Sequence, residues 1–226
     1  MRVVTSMKRT LRVAVNRAPA AMRVWEHDPS VTRSWLLITV STPGGGSSTL
    51  RVYAWRNLRS VGAHYLQQSV CLLPATPATT RAATKVVTRL RAEGGHGQVL
   101  RIQLVDAKQE GRVIDAMQAE RTDEYHELVE STRQFHDELA GERRRGRATY
   151  TELEESDTDL ARYQRWLAAI RARDYFDAPG GLEATAAVAS CEAALAEFES
   201  EALSAELDEA APETEPRLRA VKPPDG

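Results

Sequence analysis

The hydrophobic period of this chain changes once, near residue 106, and that change constrains the fold more than any other feature. Before it, short apolar runs rich in β-formers alternate with segments of helical period. After it, only the helical period continues, to about residue 204. An order of strands and helices followed by helices alone defines an α+β chain.

The first part divides cleanly. SWLLITVS, residues 34–41, reads as a strand and stops at Thr-Pro-Gly-Gly-Gly, residues 42–46. No strand continues through such a run. Ser47, Ser48 and Thr49 offer N-caps for a helix whose apolar face is Leu50, Ala54, Leu58 and Val61, with Gly62 as its end. HYLQQSVCLLP, 64–74, reads as a hairpin with its turn near Gln67 and Gln68. A second helix over about 77–93 carries Ala82, Val86, Val87 and Leu90 and closes at Gly94 and Gly95. QVLRIQLVD, 98–106, alternates as a strand, with Leu100, Ile102 and Leu104 on one side. The order β-α-β-β-α-β predicts a ferredoxin-like domain over 33–106, with both helices on one face of the sheet.

The second part, 107–204, predicts three long amphipathic helices that pack as an antiparallel hairpin or bundle. Their stripes are Tyr125, Leu128, Val129, Phe135 and Leu139, then Leu153, Leu160, Tyr163, Trp166, Leu167 and Ile170, then Val188, Cys191, Leu195, Phe198 and Ala202. The stretch 141–147, Gly-Glu-Arg-Arg-Arg-Gly-Arg, is a candidate break, and 174–181 a turn. Leu153, Leu160 and Leu167 lie seven apart, the spacing of a coiled-coil seam that serves either an intrachain hairpin or a dimer. Residues 1–32 are expected to be a flexible basic segment, with Met7 and Met22 as alternative starts, and 205–226 a disordered tail with Pro212, Pro216, Pro223 and Pro224.

Charge follows the same division. The net charge of -2 conceals +5 over residues 1–33, +6 over 34–106 and -13 over 107–226. A basic front is suited to a polyanion and an acidic rear is not. The plainer reading is two parts of different isoelectric point. Cys71 and Cys191 form no CxxC pair or disulfide framework, and no run approaches the ~18 apolar residues of a membrane span.

No catalytic constellation stands out, and the expectation is a protein that is not an enzyme and holds no cofactor. The five histidines are scattered over different elements. Gly44–Gly46 stands between a strand and a helix, the place of a phosphate-binding turn, but without a P-loop lysine or dinucleotide spacing it reads as a connector. Asp123, His126, Glu127 and Glu130 share a helix face; a dimetal site needs a second such motif, and a solvated face is the plainer account. The basic positions carry more. Arg51, Trp55 and Arg59 recur every four residues beside the first helix's apolar face, with Arg56 next to them. The second helix adds Arg81, Lys85, Arg89 and Arg91. Guanidinium groups flanking an indole hold phosphates and stack a base. They equally make an intramolecular cation–π pair, and Trp55 equally anchors a protein interface.

SWLLITVSTP…STLRVYAWRNLRSVGAHYLQQSVCLLP resembles the opening of ChrB-type chromate resistance proteins. The match falls on Arg51, Val52, Trp55, Arg56, Leu58, Gly62, Ala63, Leu73 and Pro74. Further on, Arg121, Glu124 and Tyr125 resemble the family's Arg-x-x-Glu-Tyr helix, and Ile170, Arg171, Asp174, Tyr175 and Phe176 its I-R-x-x-D-F-F element. The resemblance covers about 34–203. It implies chromate-responsive transcriptional control of an efflux operon. Full-length members carry a further C-terminal domain better suited to sensing, and this chain is expected to be the N-terminal module alone. The front is also similar to the ferredoxin-like domain of phenylacetate-pathway repressors, which carry a winged helix ahead of it, and of small CRISPR-associated nucleases. The latter have an Asp at the end of the first strand, where this chain has Ser41 and Thr42, so no nuclease activity is carried over.

The resulting expectation is a cytoplasmic, homodimeric regulator that contacts DNA through Arg51, Trp55, Arg56, Arg59, Lys85, Arg89 and Arg91, with no metal and no membrane partner. The alternative is a protein–protein interaction or dimerisation module without nucleic-acid binding. Direct chromate binding by an Arg cluster near Gly44–Gly46 ranks last.

Overall fold

A computed structural model of the chain describes residues 33–42, 48–145 and 150–209. The expectations for residues 1–32, for the Gly44–Gly46 turn and for the tail beyond 209 lie outside the described residues, as do 146–147 of the candidate break at 141–147; residues 141–145 of that stretch continue the third helix without interruption. The fold is α+β: a four-stranded antiparallel sheet and five helices.

The elements run β1 (Trp35–Ser41), α1 (Ser48–Arg59), β2 (His64–Gln67), β3 (Val70–Pro74), α2 (Pro77–Ala92), β4 (His96–Ile102), α3 (Ala107–Arg145), α4 (Tyr150–Arg171) and α5 (Gly181–Glu209). The strand order is β2-β3-β1-β4. Leu37 on β1 stands opposite Leu72 on β3 and Leu100 on β4, which fixes the register. Alternation along β1 then sends its side chains to two different cores.

One face packs under α1 and α2. Leu36, Ile38, Cys71 and Leu73 from the sheet meet Leu50, Ala54 and Leu58 of α1 and Ala83, Val86, Val87 and Leu90 of α2. α1 ends where Gly62 adopts a left-handed φ of 81° and Ala63 N–H returns to the Leu58 carbonyl. α2 starts sharply because Thr76 and Thr79 cap each other reciprocally ahead of Pro77. The opposite face is covered as well. Trp35 and Leu72 pack with Val113 and Met117 of α3, flanked by Leu37, Ile102 and Phe176. Trp35 Nε1 donates to Glu110 Oε1 at 2.9 Å, which ties the start of α3 to β1.

Two boundaries differ from the sequence expectation. β4 begins at His96 and stops at Ile102, leaving the alternating residues 103–105 outside it. Asp106 takes over there: its carboxylate accepts from Gln109 N–H at 2.7 Å and starts α3. α5 runs to Glu209, into the segment expected to be disordered from 205. Its Ala, Glu and Leu residues favour helix and nothing breaks it there.

α3, α4 and α5 share a third core. Tyr125, Leu128, Phe135 and Leu139 meet Leu160, Tyr163, Leu167 and Ile170, and both meet Val188, Cys191, Leu195 and Phe198. The seven-residue seam is spent inside the chain: Leu160 and Leu167 are buried in this core and Leu153 packs against it.

Candidate nucleic-acid interface and the charged joint behind it

The seven predicted contact residues fall on two neighbouring helices but not in one patch. Arg51, Trp55 and Arg59 follow one flank of α1. Trp55 keeps 47 % of its surface exposed, and the Arg59 guanidinium lies 5.6 Å from its ring centroid. Arg51 reaches Thr42 Oγ1 at 3.4 Å. On the other flank Arg56 lines a surface groove with Thr49, Val52, Tyr53, Asn57 and Arg89. Arg89 crosses from α2, stacks on Tyr53 at 4.0 Å and pairs with Glu93 at 2.7 Å. Lys85 is exposed on α2. Among the described residues no carboxylate lies within ion-pair distance of Arg51, Arg56, Arg81 or Lys85.

Arg91 stands apart. Its Nε and Nη2 donate to the Gly97 carbonyl at 3.0 and 2.5 Å. The guanidinium thereby fastens the end of α2 to the start of β4.

Sequence reasoning missed a second charged constellation, where α1 and β2 meet α3 and the α4–α5 turn. Arg121 is 5 % exposed, the one buried cation among the described residues. Its Nη2 pairs with Glu124 Oε1 at 3.1 Å and with Glu120 Oε2 at 3.3 Å. Glu120 Oε1 meets His64 Nδ1 at 2.9 Å, and Glu124 Oε2 meets Arg173 Nη2 at 2.9 Å. Tyr125 donates to Asp174 at 3.1 Å, and Tyr175 to the Val61 carbonyl at 2.7 Å. Burial pulls the Arg121 guanidinium below its usual range, against the pull of Glu124. The hydrogen bond from His64 holds the Glu120 carboxyl below the usual carboxylate range. Burial, helped by Asp174, pushes Tyr125 up.

The packing here is close. A Cβ on Gly62 would lie 2.9 Å from Arg173 Cβ and 3.1 Å from a ring carbon of Tyr175. Two buried polar atoms, Tyr65 Oη and Arg121 Nε, have no hydrogen-bond partner among the described residues. Each such atom costs about 1–3 kcal/mol; Arg121 Nε lies at this joint and Tyr65 packs against the core under α1 and α2. Arg59 acts on both Tyr65 and Arg121 through its charge.

Neither thiol is suited to chemistry. Cys71 and Cys191 are fully buried, and burial pushes them up to about 12 and about 11. Asp123, His126, Glu127 and Glu130 are exposed on α3. Among the described residues no three His, Cys, Asp or Glu come together to hold a metal ion, and no helix is long and apolar enough to cross a membrane.

Fold and surface together define an α+β protein with an exposed basic two-helix face braced from behind by a buried ion network. The family described as "Protein ChrB, N-terminal" matches residues 51–209, and the chain belongs to that family. It is similar to Protein ChrB of Cupriavidus metallidurans strain CH34, 28% identical over 145 residues, which cover 63% of this chain and 40% of that protein. The chain thus spans well under half the length of the curated relative. No solved structure matches it. Of the residues that carried the family resemblance, Gly62, Arg121, Glu124, Tyr125, Asp174 and Tyr175 meet at the charged joint.

Proposed function

We propose that this chain is the N-terminal module of a chromate-resistance transcriptional regulator and that it binds DNA through its basic sheet half. The observation that carries the reading is the exposed face of α1 and α2 in a chain of this family. There Arg51, Arg56 and Lys85 are exposed with no carboxylate within ion-pair distance among the described residues, and Trp55 is half-exposed beside Arg59. The strand order β2-β3-β1-β4 with α1 and α2 on one face supports a ferredoxin-like domain, and the shared core of α3, α4 and α5 supports a helical bundle behind it. Phosphate contacts come from Arg51, Arg56, Arg59, Lys85 and Arg89, with Trp55 stacking or bracing. A regulator of this kind works in the cytoplasm.

Fluorescence anisotropy of the chain against the DNA upstream of its own gene tests this. A scrambled duplex is the control, with a salt titration and with and without chromate. Preference for the upstream duplex supports a regulator, and release by chromate places sensing in this module. No binding at low salt removes the reading.

One observation favours a protein-interaction module instead. Val52 and Trp55 expose 41 % and 47 % of their surfaces on the same helix. An aromatic anchor of this kind suits a partner or a second copy. A complex or homodimer that survives high salt, where charge contacts are screened, would establish that reading.

A further inference from the structure

The outward face of α2 carries two ladders. Arg81, Lys85 and Arg89 recur every four residues, and so do Thr80, Thr84 and Thr88. Four residues of α-helix rise about 6 Å, so cations and hydroxyls run side by side over about 12 Å. These six and Ala92 line one shallow groove, in which no carboxylate and no large apolar side chain takes part. The exposed large hydrophobics among the described residues, Trp55 included, lie outside α2. Thr80 donates its hydroxyl to the Thr76 carbonyl at 2.7 Å and offers only lone pairs outward. Thr84 and Thr88 are exposed. Among the described residues neither returns its hydroxyl to the preceding turn, although mid-helix threonines can do so.

We infer that this face of α2 holds the sugar–phosphate backbone of a nucleic-acid strand through charge and hydroxyl, without reading bases. The inference rests on the nucleic-acid reading above and adds Arg81, Thr84 and Thr88 to it. Chemistry selects the occupant. A protein partner, including the acidic helices of a second copy, needs an apolar anchor at the centre of its interface, and this face has none. Phosphate oxygens are held by Arg, Lys and Thr, and such contacts position a protein without specifying sequence. Arg89 is already oriented for the task by the Tyr53 ring and Glu93. Arg91 has no part in it, being bound to the Gly97 carbonyl.

The test uses the full chain and the upstream and scrambled duplexes, with circular dichroism to show that each variant folds. Replacing both hydroxyls isosterically, Thr84→Val with Thr88→Val, is expected to weaken binding roughly tenfold. The loss is equal on both duplexes and leaves the salt slope unchanged, because no charge is removed. Arg81→Gln with Lys85→Gln is expected to lower the salt slope by about 2, at ~0.9 per phosphate contact, again on both duplexes. If α2 variants bind like the wild type while Arg51→Gln with Arg56→Gln weakens binding, this inference fails, Lys85 leaves the contact set and the wider reading stands on α1. A loss confined to the upstream duplex overturns the base-blind assignment. A wild-type chain that binds neither duplex overturns both.

Discussion

The sheet half and the helical half spend their charged residues in opposite ways. On α1 and α2 the cations face solvent with few acids near them, so their field extends outward. On α3 the most deeply placed cation, Arg121, is enclosed by Glu120 and Glu124 and is neutralised where it stands. An exposed ion pair contributes little to stability and a broken buried one costs a great deal. The comparison teaches that the same residue type faces solvent with its charge largely uncompensated in one half and is enclosed by carboxylates in the other. Binding and stability are therefore expected to respond to different substitutions.

The largest effect is expected deep in the helical half. Phe198→Ala empties a site 1 % exposed and should cost about 3–5 kcal/mol. DNA affinity measured well below the melting point should stay as it was. Urea unfolding and anisotropy on the same preparation check both statements, and a variant that loses binding while still folded would break the separation of the halves.

Arg121→Ala comes next. It leaves Glu120 and Glu124 facing each other without their shared cation and should destabilise by about 3 kcal/mol. Arg133→Ala, which removes one partner of an exposed pair with Glu130, should stay within about 0.5 kcal/mol. Equal effects at the two positions would mean that Arg121 is no joint. Gly62→Ala should cost about 2 kcal/mol, because φ is 81° there and the new methyl meets Arg173 and Tyr175. Its thermal midpoint against wild type is the check.

A further small effect is a dependence on pH. The Glu120 carboxyl titrates below its unfolded value of 4.5 because His64 bonds to it. Its contribution is therefore present above about pH 4.5 and fades as pH falls through the lower folded value. Wild type should lose stability more steeply than Glu120→Gln between pH 5 and acid, as about 1 kcal/mol or less of difference in urea melts. Parallel profiles would remove the His64–Glu120 contact from the account.

Much of this organisation was legible in the residues. The apolar stripes of α3, α4 and α5 meet in one core, the Gly62 stop ends α1, and the hairpin read from the strand-like pieces of 64–74 turns between Gln67 and Val70. The docking of Val113 and Met117 onto the second face of the sheet was not legible. Those two apolar residues are diluted by charged neighbours at the start of α3, and their partners Trp35 and Leu72 are distant in sequence. The joint was hidden for the same reason: His64 and Glu120 are 56 residues apart, Glu124 and Arg173 49. Only the motif resemblance marked Arg121, Glu124 and Asp174, without giving them a role. Helical spacing put Arg89 and Arg91 on α2 correctly, but spacing cannot show that one stacks on Tyr53 and the other bonds to Gly97.

The central claim is that the basic half meets nucleic acid while the helical half, acidic and internally packed, stands behind it. Amide hydrogen exchange of the full chain, with and without the upstream duplex, tests it most directly. The account predicts slower exchange over α1 and α2, residues 48–92, and unchanged exchange over α4 and α5. Protection centred on α4 and α5, or none anywhere at a duplex concentration that saturates binding, would contradict it.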